Sequence, residues 1–230
     1  MTLSAHQPCY LPWLGYFHKL AHCDLFVVLD DVPLSGVDKN NWVNRVWISG
    51  PPGDTLLTVP LRRQGHHGAA IKDVEINGDR WVKKHVKAIE QTYAHARFRN
   101  DLSEIVTMPH GPCSCADGMQ ISASILAYFM GITDGVYFQS DLQPEGHGED
   151  MLLNLCRRFN ADRFLFGRNG HNYVTLEKWK RAGIEPLFQN FLVPEYPRIG
   201  PPTARILSTV DAIANIGLER TREIVMGGKV

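Results

Sequence analysis

The chain has no stretch of apolar residues able to cross a bilayer. Runs such as Leu25 to Leu29, LFVVL, fall far short of the ~20 residues that a spanning helix needs. It also has no excess of one charge. The 24 Lys+Arg balance 24 Asp+Glu, so a broad electrostatic footprint for nucleic acid is not expected, and only a local patch stays open. The first residues, MTLSAHQP, have neither the basic stretch nor the apolar core of a secretory signal. The five cysteines, Cys9, Cys23, Cys113, Cys115 and Cys156, are odd in number and irregular in spacing. That excludes a disulfide framework and points to a reducing compartment, the cytoplasm. No dinucleotide fingerprint, Walker A loop or HExxH motif is present. There is no internal repeat, low-complexity segment or evident linker, so one domain over 1–230 is expected. What is present is the composition of an ordinary folded chain, 44% apolar and 21% charged, with ten histidines.

The pattern alternates between strand-like and helical stretches. Thr2 to His6 reads as a strand, and the two prolines of HQPCYLPW hold an extended turn before a helix over Trp13 to Ala21. Leu25 to Leu29 suits a strand buried on both faces. VNRVWI and TLLTVPL, joined by GPPGD, predict a hairpin added to the main sheet. IKDVEI, Ile71 to Ile76, alternates like a half-exposed strand. Asp79 is placed to cap a helix whose Val82, Val86, Ile89 and Tyr93 share a face. Further on come a helix over Asp117 to Met130, the strand GVYFQS, a helix over Glu149 to Asn160, the strand RFLFG, a helix over Thr175 to Ala182, and EPLFQNF. This order predicts an α/β fold: a mostly parallel sheet covered by helices in Rossmann-like layers, with an inserted β-hairpin and helical stretch.

In such sheets ligands bind outside the carboxyl ends of the strands. The residues just past each strand are His6-Gln7, Asp30-Asp31, Gln139-Ser140, the loop GRNGHNY with Arg168 and His171, and Gln189-Asn190. His6 is a candidate acid or base. One of Asp30 and Asp31 could hold Mg²⁺ or orient a histidine, since neighbours on a strand face opposite ways. The backbone of GRNGHNY could wrap an anion beside Arg168. His18, His22 and Cys23 have helical spacing for a shared metal, but a solvated pair is the plainer reading, and no metal is expected there. His110, Cys113 and Cys115 lack the spacing of a structural zinc site. Cys9 is expected to pack rather than attack. Ser208 with Asp211 fits a capping box, and Trp42 and Trp47 beside Arg45 fit a packed hairpin face or a ring-stacking surface.

The block HQPCYLPWLGYFHK, His6 to Lys19, resembles the WbqC-like protein family, and later blocks follow in the same order. These are DLFVVLDDV from Asp24, Trp42-Val43-Asn44-Arg45, Leu57-Thr58-Val59-Pro60, Lys84-His85 with Ile89 and Tyr93, and LSTVDAIANIG from Leu207. Pro33 stands where the family usually has Gln, Val46 where it has a second Asn, and HGPCSCADG is unlike its usual pattern. Members are associated with bacterial O-antigen and surface-polysaccharide gene clusters, and a glycine-transferase role has been suggested for them. The resemblance implies site residues His6, Gln7, Tyr10, Trp13, Tyr16, Lys19, Asp31, Asn44, Arg45, His85 and Asp211. The expectation is therefore a cytoplasmic enzyme moving an aminoacyl or related acyl group to an amine, such as an amino sugar carried on a nucleotide. His6 or His85 would be the base, Arg45 and Lys19 the charge-stabilising groups, and Asp31 would orient a histidine or hold Mg²⁺. A charged tRNA as donor stays open. An alternative is an ATP- and Mg²⁺-dependent adenylate-forming ligase or nucleotidyltransferase-like enzyme, by loose analogy of the first block with HxGH elements, where Tyr16 occupies the second histidine position. A non-catalytic binding protein of a biosynthetic complex is the third.

Overall fold

The computed structural model describes residues 1–34, 42–62, 68–105, 113–132 and 135–228. Five strands are short and apolar: β1 (Thr2–His6), β2 (Leu25–Val28), β5 (Val136–Phe138), β6 (Arg163–Phe166) and β7 (Glu185–Phe188). They pair in the order β5-β2-β1-β6-β7, every pair parallel. Numbered by their own succession the order is third, second, first, fourth, fifth, the doubly wound arrangement. Alternation explains the two buried faces. Phe26 and Val28 enter one apolar cluster while Val27 between them enters the other with Leu3 and Ala5. Helices α6 (Glu149–Arg158) and α7 (Leu176–Arg181) cover the Val27 face through Leu153, Leu155 and the fully buried Trp179. The Phe26 face packs on α1 (Leu14–Ala21) and merges with a larger core from α2 (Arg80–Thr92), α4 (Cys115–Phe129), α8 (Thr209–Ile216) and α9 (Leu218–Met226). The short helices α3 (Asp101–Ile105) and α5 (Gln139–Leu142) complete the set among the described residues.

Several local expectations are corrected. The hairpin of β3 (Arg45–Gly50) and β4 (Gly53–Thr58) forms as read, but as a separate two-stranded sheet, not an extension of the main one. IKDVEI is not a strand: Ile71–Asp73 is a 3₁₀ turn. Ile71 and Val74 are buried three apart, with Ile76 buried beyond them, and Ile71 and Lys72 give their N–H groups to Val32 and Asp30. Asp79 precedes α2 without a side-chain cap, and the Trp81 indole closes that end on the Gly78 carbonyl at 3.0 Å. Gln139 and Ser140 leave the strand and open α5. Ser208 does cap α8, accepting from the Val210 N–H at 3.2 Å. Asp211 does not reach back to complete a capping box; its carboxylate turns into the core.

Candidate active site

Because all five strands run the same way, their carboxyl ends share one edge. The order reverses between β1 and β6, where successive connections leave on opposite sides and open a crevice. The pairing Thr2↔Arg163, Leu3↔Phe164, Ser4↔Leu165 carries on to set His6 beside Gly167, the first residue of GRNGHNY. That loop folds back tightly. A side chain at Gly170 would come within 2.7 Å of Phe166 Cβ and 2.8 Å of Phe188 Cδ1, so only glycine fits. His171 lies against the Phe188 ring at 3.7 Å, and Arg168, Asn169 and His171 are exposed on the edge.

The loop after β1 contains two prolines and so has few N–H groups of its own; other elements satisfy its backbone. Tyr10 donates its N–H to Val43 O at 2.9 Å, Leu11 donates to Ser122 Oγ at 3.0 Å, and Leu11 O accepts from Ser208 Oγ at 2.8 Å. Pro12 O accepts from the Thr209 N–H at 2.9 Å. The hairpin, α4 and α8 thus fix this loop in place. His6 sits in an aromatic corner, its ring edge-on to Trp13 at 5.5 Å and Tyr16 at 5.4 Å. Its Nδ1–H donates to the Gln7 carbonyl at 2.8 Å, which fixes the tautomer and leaves Nε2 as the free nitrogen. Burial, then the Lys19 ammonium, lower its pKa to about 4 against the pull of the Gln7 carbonyl. The ring is therefore neutral near pH 7, with a lone pair on Nε2.

Lys19 is buried and donates to the Ala5 carbonyl at 2.6 Å. Burial lowers its pKa to about 8. It braces the end of β1 and keeps His6 uncharged, so it is not free to hold a substrate oxyanion. Cys9 donates its thiol to Gln7 O at 3.4 Å, and burial pushes that thiol far up, which removes it as a nucleophile. Tyr16 is buried with its hydroxyl unpartnered.

His85 stands apart from this corner. It is buried on α2, its Nδ1 2.9 Å from the Tyr10 hydroxyl, and its pKa lies at about 4 through burial. The geometry makes His85 a support for Tyr10. Asp31 is exposed and pairs with Lys72 at 3.3 Å, and no histidine pairs with it among the described residues. Asp30 is the buried one, accepting from Ser140 N at 2.9 Å and Ser140 Oγ at 2.5 Å at the start of α5. Asn44 donates Nδ2 to Val59 O at 2.7 Å, while its Oδ1 and the Nε of neighbouring Arg45 are buried without partners. Trp42 packs on Trp13 at 5.6 Å, whereas Trp47 lies under the Arg205 guanidinium at 4.6 Å. His18 is fully buried, which corrects the solvated reading; its ring stacks on His22 at 4.0 Å and on Phe191 at 4.3 Å. His110 lies outside the described residues.

Asp211 anchors a second cluster. Its carboxylate accepts from Tyr93 Oη at 2.9 Å and Tyr196 Oη at 2.8 Å, with Arg198 Nη1 at 4.0 Å. Burial raises its pKa despite these partners. Tyr196 and Arg198 belong to the irregular segment 190–207, a strap from β7 to α8. Between strap and motif loop is a cleft of ≈ 570 Å³, lined by Trp13, Glu195, Tyr196, Arg198, Thr203 and Arg205 among others. Trp13 thus both lines the cleft and contacts the His6 ring. Arg198 and Arg205 had no signal in the sequence, whereas Gln189 stands among the strand-end residues that the sequence marks. Gln189 donates Nε2 to Gly15 O at 2.7 Å and so ties β7 to α1.

The WbqC-like protein family matches residues 7–223, a span that includes the motif loop, the hairpin, His85, the strap and Asp211. The chain belongs to the WbqC-like protein family. A Mycobacterium tuberculosis protein described as uncharacterized is 24% identical over 219 residues, 93% of each chain. No solved structure matches significantly. In this WbqC-like chain the first block builds the His6 corner, and the closing block supplies Ser208 and Asp211.

Its titration behaviour is testable. His6, His18 and His85 each hold a folded pKa of about 4, against 6.5 for an ordinary histidine. The unfolded chain therefore binds more protons below pH 6.5, and stability falls as pH drops from 6.5 towards 4, by up to about 1.4 kcal/mol per pH unit for each fully shifted ring. Lys19, at about 8 against 10.5, likewise makes stability rise with pH through that higher window. Melting temperatures measured at pH 5, 6 and 7 should climb steadily; a flat profile would contradict the buried neutral rings.

Proposed function

We propose that this protein is an enzyme that transfers an aminoacyl, possible donors including a glycyl group, or a related acyl group to an amine such as that of an amino sugar. The observation that carries the reading is the neutral His6 at the strand-order switch, its Nε2 free beside the Gly167 loop. An amine attacking an activated carbonyl forms an N–C bond and must lose a proton as the leaving group departs. The attacking nitrogen is more acidic in that adduct than in a free ammonium, and the neutral imidazole takes its proton on Nε2 as departure of the leaving group draws the step forward. Arg168, exposed on the loop after β6, would steady the developing negative charge. The switch point between β1 and β6, where doubly wound sheets take ligands, and the cleft lined by Trp13 would take the two substrates. The setting proposed is cytoplasmic, in surface-polysaccharide or secondary-metabolite synthesis.

A second reading, an ATP-dependent ligase, draws support from the doubly wound strand order, which suits nucleotides at its switch point. The deciding experiment offers amino sugars with either activated aminoacyl donors or free amino acids, with and without ATP and Mg²⁺, and reads the acylated amine by mass spectrometry. Product without ATP supports the transferase. Product only with ATP and Mg²⁺, with ATP raising the melting temperature, supports the ligase. No product from any donor would count against both.

A further inference from the structure

The cleft under the strap has a character of its own. Its volume of ≈ 570 Å³ lies in the range of small-ligand sites, about 300–1,000 Å³. Trp13 gives one wall, half-buried, with its ring held by Trp42 and His6. The opposite wall carries two guanidiniums, both fixed before any ligand arrives. Arg198 is 16% exposed, donates Nη2 to Pro201 O at 2.8 Å and lies 4.0 Å from the Asp211 carboxylate. Arg205 lies over the Trp47 ring at 4.6 Å, with its Nε 3.9 Å from Asp54. Asp54 is held below the usual carboxylate range, by the Thr203 hydroxyl first and also by both guanidiniums. Both guanidiniums therefore act on one neighbourhood, Arg198 facing the buried Asp211 and Arg205 facing Asp54 through single long contacts that leave most of their N–H donors for a ligand. Glu195, the acid in the lining, is exposed, where water and salt screen it.

Planar, braced guanidiniums suit phosphate oxygens, which they grip by paired hydrogen bonds, and an indole in the cleft wall suits a flat ring. We propose that the strap cleft binds the nucleoside diphosphate part of a substrate, with its base against Trp13 and its phosphates against Arg198 and Arg205. This rests on the transferase reading for which substrate carries the nucleotide: an amine-bearing sugar attached to that diphosphate would present its amine past Trp13 towards His6.

Binding is measured by calorimetry on the full chain with UDP, ADP, uridine and inorganic pyrophosphate. A diphosphate should bind, with uridine and pyrophosphate each at least about ten-fold weaker. Arg205→Gln should weaken the diphosphate by about ten-fold or more, and Arg205→Lys by less, both with unchanged melting temperature because Arg205 is largely exposed. The inference is overturned if neither diphosphate binds at millimolar concentration. It is equally overturned if uridine or pyrophosphate binds as tightly as UDP or ADP, or if Arg205→Gln binds as the parent does. His6→Ala separates the two readings. Nucleotide bound by both forms, with no transfer by the parent, sinks only the reaction; transfer by the parent with no nucleotide bound sinks only the cleft.

Discussion

His6→Ala is expected to lower the transfer rate by about 10²- to 10⁴-fold, the usual contribution of a positioned acid or base. The argument rests on how much of the surroundings is devoted to this ring. Gln7 O fixes its tautomer, Trp13 and Tyr16 fix its plane, and burial, with the Lys19 ammonium second, keeps it uncharged. A ring needed only for packing would not require a free Nε2 at the strand edge. The substitution removes two edge-on aromatic contacts but leaves no charge or donor stranded, so the fold should survive with a small drop in melting temperature. His6→Gln keeps a polar group of similar length and should be nearly as inactive. Full activity in either variant would sink the assignment, and so would unfolding of both, which would make His6 a core residue. In the parent, kcat/KM calculated on the unprotonated fraction of the acceptor amine should hold from neutral pH down to about 5 and fall as pH passes about 4.

Asp211→Ala is expected to be the most damaging single change to stability. Asp211 is fully buried, and its carboxylate accepts two tyrosine hydroxyls and faces Arg198. Alanine leaves two buried hydroxyls without acceptors and a largely buried guanidinium without its counter-charge. Removing one partner of a buried charged pair costs about 3–5 kcal/mol. For a chain of this size about 1 kcal/mol moves the melting temperature by roughly 2–4 °C, so a fall of about 10 °C is the expected scale. Asp211→Asn keeps an acceptor oxygen and should cost clearly less. A fall of under about 2 °C for the alanine variant would mean that the strap is held by other contacts. Tyr196→Phe, which removes one hydroxyl only, would then be the discriminating comparison.

The layer order was legible because it depends on period. Short apolar runs such as LFVVL, separated by amphipathic stretches, have few other folded solutions, and the parallel sheet follows. The position of His6 was legible for the same reason, since a strand end is a local feature. IKDVEI misled because two spacings share so short a segment: Val74 and Ile76 keep the two-residue alternation of a strand, while Ile71 and Val74 are three apart, as the 3₁₀ turn requires. The partners of Asp211 were not legible. Tyr93 is 118 residues away, and nothing in a single chain marks a hydroxyl that far off as a neighbour. Arg198 and Arg205 lie in a segment with no periodicity, so only the tertiary placement of the strap brings them to Trp13. His85 and Asp31 carry the residue types of catalysis, yet one supports Tyr10 and the other pairs with Lys72 at the surface.

The central place of β1 has a consequence for how a ribosome must deliver this molecule. One edge of β1 can zip onto β2 almost as soon as both emerge, since Ser4 and Phe26 are near in the chain. The other edge waits for β6, with Ser4 and Leu165 separated by 161 positions. At about 5–20 residues per second, that interval lasts on the order of ten seconds or more. Throughout it the nascent chain carries a bare strand edge in its own middle, open to pairing with a neighbour on the same message. Synonymous codons that slow translation between β2 and β6 should therefore lower the yield of native protein and raise its demand for holding chaperones.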